Sequence, residues 1–166
     1  MSTTLSVDAA RVELLLTELR LSAIKSTWTR IAAQSDKEGW PAARFLAALM
    51  ETEMADRGRR RFERHLAEAR LPVGKTIANF EFELVPMISK SQVMALVAGD
   101  SWLGKGANVL LFGTPGAGKS HLAAAIGLGL IENGRRVMFT RTTDLGLSKE
   151  PFSWATPGLL RVGVIL

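Results

Sequence analysis

The chain has 166 residues, 47% hydrophobic and 22% charged, with 21 Lys and Arg against 16 Asp and Glu for a net charge of +5. This balance suits a packed core and excludes disorder as the main state, and the length allows one domain, or a small domain plus part of another. The absence of cysteine excludes a disulfide scaffold, thiolate zinc sites and cysteine nucleophiles, and His65 and His121 alone cannot make a metal cluster.

No basic segment followed by an apolar core and a cleavage site opens the chain, so no secretory signal is expected. The longest mostly apolar run, Leu122 to Ile131, falls well short of the roughly 20 residues that span a bilayer. A soluble cytoplasmic protein without a membrane partner is expected.

The first 70 or so residues read as helices. Leu14, Leu15, Leu19 and Leu21 follow one helical face, and Ile24, Trp28 and Ile31 continue the same spacing. Gly39 and Pro41 break the pattern, with Pro41 placed to open a new helix. From there Phe45, Leu46, Leu49, Met50 and Met54 form an apolar stripe read as core. Phe62, Leu66 and Ala69 extend it, and Gly58 marks a bend or break. Leu71-Pro72 ends the helical region.

Residues 73–106 form a connecting segment with alternating Phe80-Glu81-Phe82-Glu83, a short helix around Ser91–Val97 and the loop Gly99–Gly106. Val109-Leu110-Leu111-Phe112 is a short apolar run of the kind found in strands buried on both faces. A helix from Lys119 to Glu132 follows, closed by Asn133-Gly134, and Val137–Thr140 reads as a second strand. The expected fold class is α/β: an N-terminal α-helical domain (1–72), the connecting segment (73–106), and an αβ domain (107–166).

Between the two expected elements lies Gly113-Thr114-Pro115-Gly116-Ala117-Gly118-Lys119-Ser120, which matches G-x-x-x-x-G-K-[ST]. Glycines let the backbone wrap round a phosphate with its N–H groups inward, and the new helix adds its positive N-terminal end. Lys119 is the cation for the β- and γ-phosphates, and the Ser120 hydroxyl is the ligand for Mg²⁺. Nucleotide binding is therefore expected at 113–120, with ATP and Mg as cofactors, and His121 is expected beside the loop. Hydrolysis also needs a carboxylate at the end of a later strand, and no hhhhD pattern follows Phe139. Asp144 is polar-flanked and reads as a helix cap; Glu150 has no apolar run before it.

Arg57, Arg60, Arg61 and Arg64 fall at i, i+3, i+4 and i+7, one face of a helix, in a stretch whose only acid is Glu63. Two readings stay open: a face contacting nucleic-acid phosphates, or a solvated face paired with Asp56, Glu63 and Glu68.

With the P-loop placed, the chain resembles the IstB-like transposition helper ATPases, members of the AAA+ group related to DnaC-type helicase loaders. The stretches that carry the resemblance include Leu19-Arg20-Leu21, Phe45–Leu49 with Glu51 and Glu53, the Arg57–Arg64 run and Ala69–Pro72. Further on come Lys75-Thr76, Phe80–Phe82, Gly106–Gly113, Gly118–Ala123 and Gly134–Phe139. Coverage is about residues 14–145. The resemblance implies an ATP-dependent, DNA-binding protein that self-associates and delivers a transposase. It implies an adenine pocket near Phe80 and Phe82, although core packing is the stronger expectation for both. From about residue 146 the tail departs from the family, which would continue with Walker B, sensors and an arginine finger. The expectation is thus a truncated member that binds ATP without hydrolysing it. A helicase loader or a non-catalytic interaction module are the alternatives. In AAA+ sheets the two expected strands would not be neighbours, and Leu159–Leu166, apolar and β-prone, is a candidate partner for one of them.

Overall fold

The computed structural model describes residues 2–99, 102–105, 109–141 and 159–164. Five α-helices are described, α1 (Ser2–Glu18), α2 (Ser22–Glu38), α3 (Ala42–Ala69), α4 (Lys90–Ala98) and α5 (Lys119–Glu132), followed by strands β1 (Arg136–Arg141) and β2 (Leu159–Val164). Short 3-10 turns occupy Phe82–Leu84 and Leu103–Lys105. The chain divides into two compact units, residues 1–60 and 61–166, so the division falls inside α3 and residues 73–106 belong to the second unit.

In the first unit the expected continuous 14–31 helix is two helices. α1 ends in a turn in which Leu21 N–H donates to Leu16 O at 2.8 Å and Arg20 takes a left-handed φ of 56°. Such a close usually recruits glycine, so a chain with Arg20 there gives little warning of it. Leu16, Ile24, Ile31 and Leu49 form the buried core, with Trp28, Trp40 and Phe45 packed against it. The stripe expected on α3 is only partly core: Leu46, Met50 and Met54 are exposed, and Leu49 is the member that turns fully inward. α3 also runs unbroken through Gly58. A helical glycine costs about 1 kcal/mol relative to alanine, too little to break a helix whose neighbouring turns are anchored.

One anchor is Glu53, which is 3% exposed. Its Oε2 accepts from the N–H groups of Ala23 and Ile24 at 3.0 and 3.3 Å, capping α2 from a different helix. Its Oε1 accepts from Arg57 Nε at 2.9 Å. Two of the orphan donors at the start of α2 are thereby satisfied where Leu21 has no side chain to cap them. Burial pushes the Glu53 carboxyl up, but the Arg57 guanidinium and the Ile24 and Ala23 N–H groups outweigh it, leaving the pKa below the ordinary value.

The second unit is built round α5, buried from Leu122 to Gly127 and from Gly129 to Ile131. Ala69, Phe80, Val93, Val97 and Val137 pack on it, and Ala123 and Ala124 meet Phe139. α4 is started by a capping box, Ser89 with Gln92, and is tied to the end of α5 by Asn133 Nδ2, which donates to Val97 O at 3.0 Å. A Cβ on Gly129 would stand 2.7 Å from Val97 Cγ1, so glycine is what lets α4 and α5 come this close.

The helix Lys119–Glu132 and the strand at 137–140 form where expected, the strand spanning Arg136–Arg141. The strand expected at Val109–Phe112 does not form: among the described residues its backbone has no ladder partner, Leu110 is 63% and Phe112 87% exposed, and of the four Leu111 is the one packed on the core. The physical reason is pairing. β1 hydrogen-bonds β2 in parallel, from Arg136↔Leu159 to Arg141↔Val164, and no described strand lies beside 109–112. The tail thus pairs with β1, as one reading of Leu159–Leu166 anticipates. Asp144, Glu150 and Trp154 lie outside the described residues. No described helix is long and apolar enough to cross a membrane.

Gly129→Ala should lower stability by about 1–3 kcal/mol despite the better helix propensity of alanine, because the Val97 methyls cannot swing away. Adding Val97→Ala should return part of that loss, and urea unfolding checks both; a Gly129→Ala chain as stable as wild type would contradict the contact. Glu53 makes a second prediction. A carboxylate whose folded pKa is depressed contributes stability above its unfolded value, near 4.3, and loses it as pH falls through the lower folded value. Glu53→Gln should therefore lower the urea midpoint of the helical signal at neutral pH and flatten its decline below about pH 4.5.

Candidate phosphate-binding site

The G-x-x-x-x-G-K-S segment is an exposed turn that tightens into α5. Ala117 N–H donates to Thr114 O at 3.2 Å, and Leu122 N–H donates to Gly118 O at 2.8 Å as the helix begins. Gly116 and Gly118 have φ of 83° and 76°, a left-handed backbone that side-chain-bearing residues adopt at a cost. Gly118 is also a close approach: a Cβ there would be 3.0 Å from Phe80 Cε2. α5 is long enough to present a helix dipole, and its first N–H groups open onto the loop.

Lys119 Nζ donates to the carbonyl oxygens of Gly113 and Thr114, each at 2.9 Å. The ammonium is held across the mouth of the turn, and a third donor remains for an anion. Ser120 and His121 follow on the first turn of α5, both half-buried. The residues 113–120 are therefore gathered into one turn with a cation beside it and a helix start behind it, a donor set that suits the oxygens of a phosphate. Ser120 offers a single hydroxyl, and no cluster of three or more His, Cys, Asp or Glu among the described residues could hold a metal by itself.

The structure brings a further segment to this loop. The His121 ring lies with Nε2 3.0 Å from Thr76 O and 3.1 Å from Asn79 Oδ1. Both are acceptors, so Nε2 carries the proton. Asn79 Oδ1 also accepts from Thr76 N–H and Oγ1, and Nδ2 donates to Gly74 O at 2.6 Å, which fixes the orientation of the amide. Phe80 packs edge-on against His121, with centroids 5.3 Å apart, and against Phe82 at 4.9 Å. Buried Phe80 is a floor under Gly118, matching the core-packing expectation. Thr76 and Asn79 drew no functional reading from the sequence. Thr-x-x-Asn is a self-capping turn signal that could have marked this segment as ordered.

The arginines divide. Arg57 pairs with Glu53, and Arg60 pairs with Asp56 and donates to Ser22 Oγ at 2.9 Å, so these two are engaged in holding α3 to α2. Arg61 lies beside the Gly134 turn, and Arg64 is exposed. Asp56, beside Arg59 and Arg60, has its pKa drawn down by the Arg59 hydrogen bond.

Comparison with known proteins is consistent with this geometry. Residues 14–150 match the profile of the IstB-like ATP binding protein family. Over 140 residues the chain is 66% identical to an insertion sequence ATP-binding protein of Sinorhizobium fredii, covering 84% of this chain and 47% of that protein. It is 34% identical over 128 residues to the insertion sequence IS21 ATP-binding protein of Pseudomonas aeruginosa, with 77% and 48% covered. It is 29% identical over 127 residues to the IS5376 ATP-binding protein of Geobacillus stearothermophilus, with 76% and 50% covered. The chain spans about half the length of these curated relatives.

Proposed function

The chain belongs to the IstB-like ATP-binding protein family, and from that premise we propose that it binds ATP through Gly113, Thr114, Pro115, Gly116, Ala117, Gly118, Lys119 and Ser120, with His121 adjoining. The observation that carries this reading is the turn itself: left-handed glycines, a helix start and the Lys119 ammonium converge on one volume. The backbone N–H groups bind the phosphates, Lys119 neutralises them, and the Ser120 hydroxyl supplies the protein's ligand to Mg²⁺. ATP supplies the transferable phosphoryl group.

In this reading the second unit belongs to an AAA+-type P-loop αβ domain, and what supports it is α5 directly after the loop with β1 next in the chain. The helical first unit, residues 1–60, serves as the partner-binding part. The cellular role is as a cytoplasmic, DNA-associated helper of transposition that self-associates and engages a transposase. What supports it is family membership and the insertion-sequence names of the relatives. Recovery of a replicative helicase instead of a transposase in pull-downs would turn the assignment toward a helicase loader.

Titration with a fluorescent ATP analogue, with and without Mg²⁺, tests the core of the proposal. Lys119→Ala should weaken binding by about 10- to 100-fold, the worth of a charge-assisted contact, and equal affinity in the two chains would overturn the reading.

DNA association is assigned to Arg57, Arg60, Arg61 and Arg64, with the larger share falling on Arg61 and Arg64 because Arg57 and Arg60 already hold Glu53 and Asp56. Replacing Arg61 and Arg64 with alanine should lower the slope of log affinity against log salt by about one per arginine, with little change in sequence preference. An unchanged slope removes α3 from the DNA interface.

A further inference from the structure

The Gly74–Phe82 segment is far from the P-loop in sequence, yet it is fastened to the first turn of α5 at three points. The His121 Nε2 proton is shared between Thr76 O and Asn79 Oδ1, the His121 ring stands edge-on to Phe80, and Phe80 lies against the bare face of Gly118. Asn79 in turn draws the segment closed through Thr76 and Gly74. We propose that His121 is a positioning residue for the phosphate loop: its ring locks this segment as a strap over the start of α5 and so holds Gly116 to Ser120 in their binding geometry. This rests on the ATP-binding reading of 113–120 and adds to it a residue that contacts no phosphate.

The argument is one of conformational entropy. A glycine-rich turn loses more freedom on ordering than any other, so a loop with left-handed residues at 116 and 118 is costly to hold still. Inside the loop its helical side is tied by backbone bonds and by Lys119 Nζ, which donates to Gly113 O and Thr114 O. Phe80 under Gly118 limits where the Gly118 backbone can move, and Phe80 is itself kept in place by Asn79, one residue before it, and by the His121 ring. Among the described residues, His121 is the side chain of the loop's helical turn that reaches the strap by hydrogen bonds and by packing together. Cutting its hydrogen bond leaves the strap tied to α5 by apolar contact alone. The nucleotide must then order the loop as it binds, and the affinity falls by that amount.

Two variants weaken the link from opposite ends: His121→Ala removes the donor, and Asn79→Ala removes one of its two acceptors together with the bonds that close the segment on Thr76 and Gly74. His121→Ala and Asn79→Ala should each weaken binding of a fluorescent ATP analogue by about tenfold, and the double variant should be little weaker than either, because the two residues act as a unit. His121→Gln, whose amide nitrogen can reach the same acceptors, should restore most of the affinity, a rescue that general loss of packing would not show. Amide hydrogen exchange without nucleotide gives an independent reading. The amides of Gly116 to Ser120 should exchange faster in His121→Ala and Asn79→Ala, while those from Ile126 to Ile131 keep wild-type protection. Additive effects, no rescue by glutamine, or unchanged exchange at the loop would each overturn the assignment. If wild-type protein failed to bind ATP, the binding proposal would fall, and the exchange measurement would still decide whether His121 locks the strap.

Discussion

The second unit depends on a helix with no free face. α5 is buried on nearly every side, and such a helix can have neighbours this close only where it is thin. It is thin at both ends. Gly118 admits Phe80 at the start, and Gly129 admits Val97 near the finish. Between them the alanines at 123, 124 and 125 are buried, their small side chains leaving room for neighbours to come close. The phosphate loop is the continuation of this helix, so its position follows from core packing more than from anything within the loop.

The first unit solves a different problem with a polar device. α2 starts without a capping side chain of its own, and the two N–H groups it would leave unsatisfied are met by Glu53, reaching over from α3. A buried carboxylate is costly unless its charge is answered, and Arg57 answers it one turn along the same helix. Arg60 extends the arrangement to Asp56 and Ser22. Part of what looks in sequence like a stripe of spare positive charge is thus a fastening between helices. Arginine suits both tasks, since its planar fork grips a carboxylate and a phosphate alike.

What could be read from sequence divides along physical lines. The helix at 119–132, its close at Asn133-Gly134, the strand at 137–140 and the capping-box helix near 91–97 rest on local signals, and all appear. The break after Glu18 could not be seen, because Arg20 stands where such turns usually take glycine. The stripe on α3 was legible as apolar but not as half-exposed, since periodicity shows a face without showing what covers it. The P-loop was plain from its spacing. Its strap was not, because the bonds from His121 to Thr76 and Asn79 join residues more than forty positions apart.

The stretch Val109–Phe112 shows why strand character is a property of neighbours. Its composition is that of a central strand, and its alternation is intact, with Leu111 inward and Leu110 and Phe112 outward. A strand exists only when its N–H and C=O groups meet those of another, however, and β1 is joined to β2 in parallel instead. Among the described residues the segment reaches the core through Leu111, and Lys119 Nζ holds the Gly113 and Thr114 carbonyls beyond it, while the side leading out is held by α5 and by the strap. The loop is fixed more firmly at Gly118 than at Gly113. An anion arriving there would meet preset amides on the helical side, at Lys119 and Ser120, before it ordered the glycyl side.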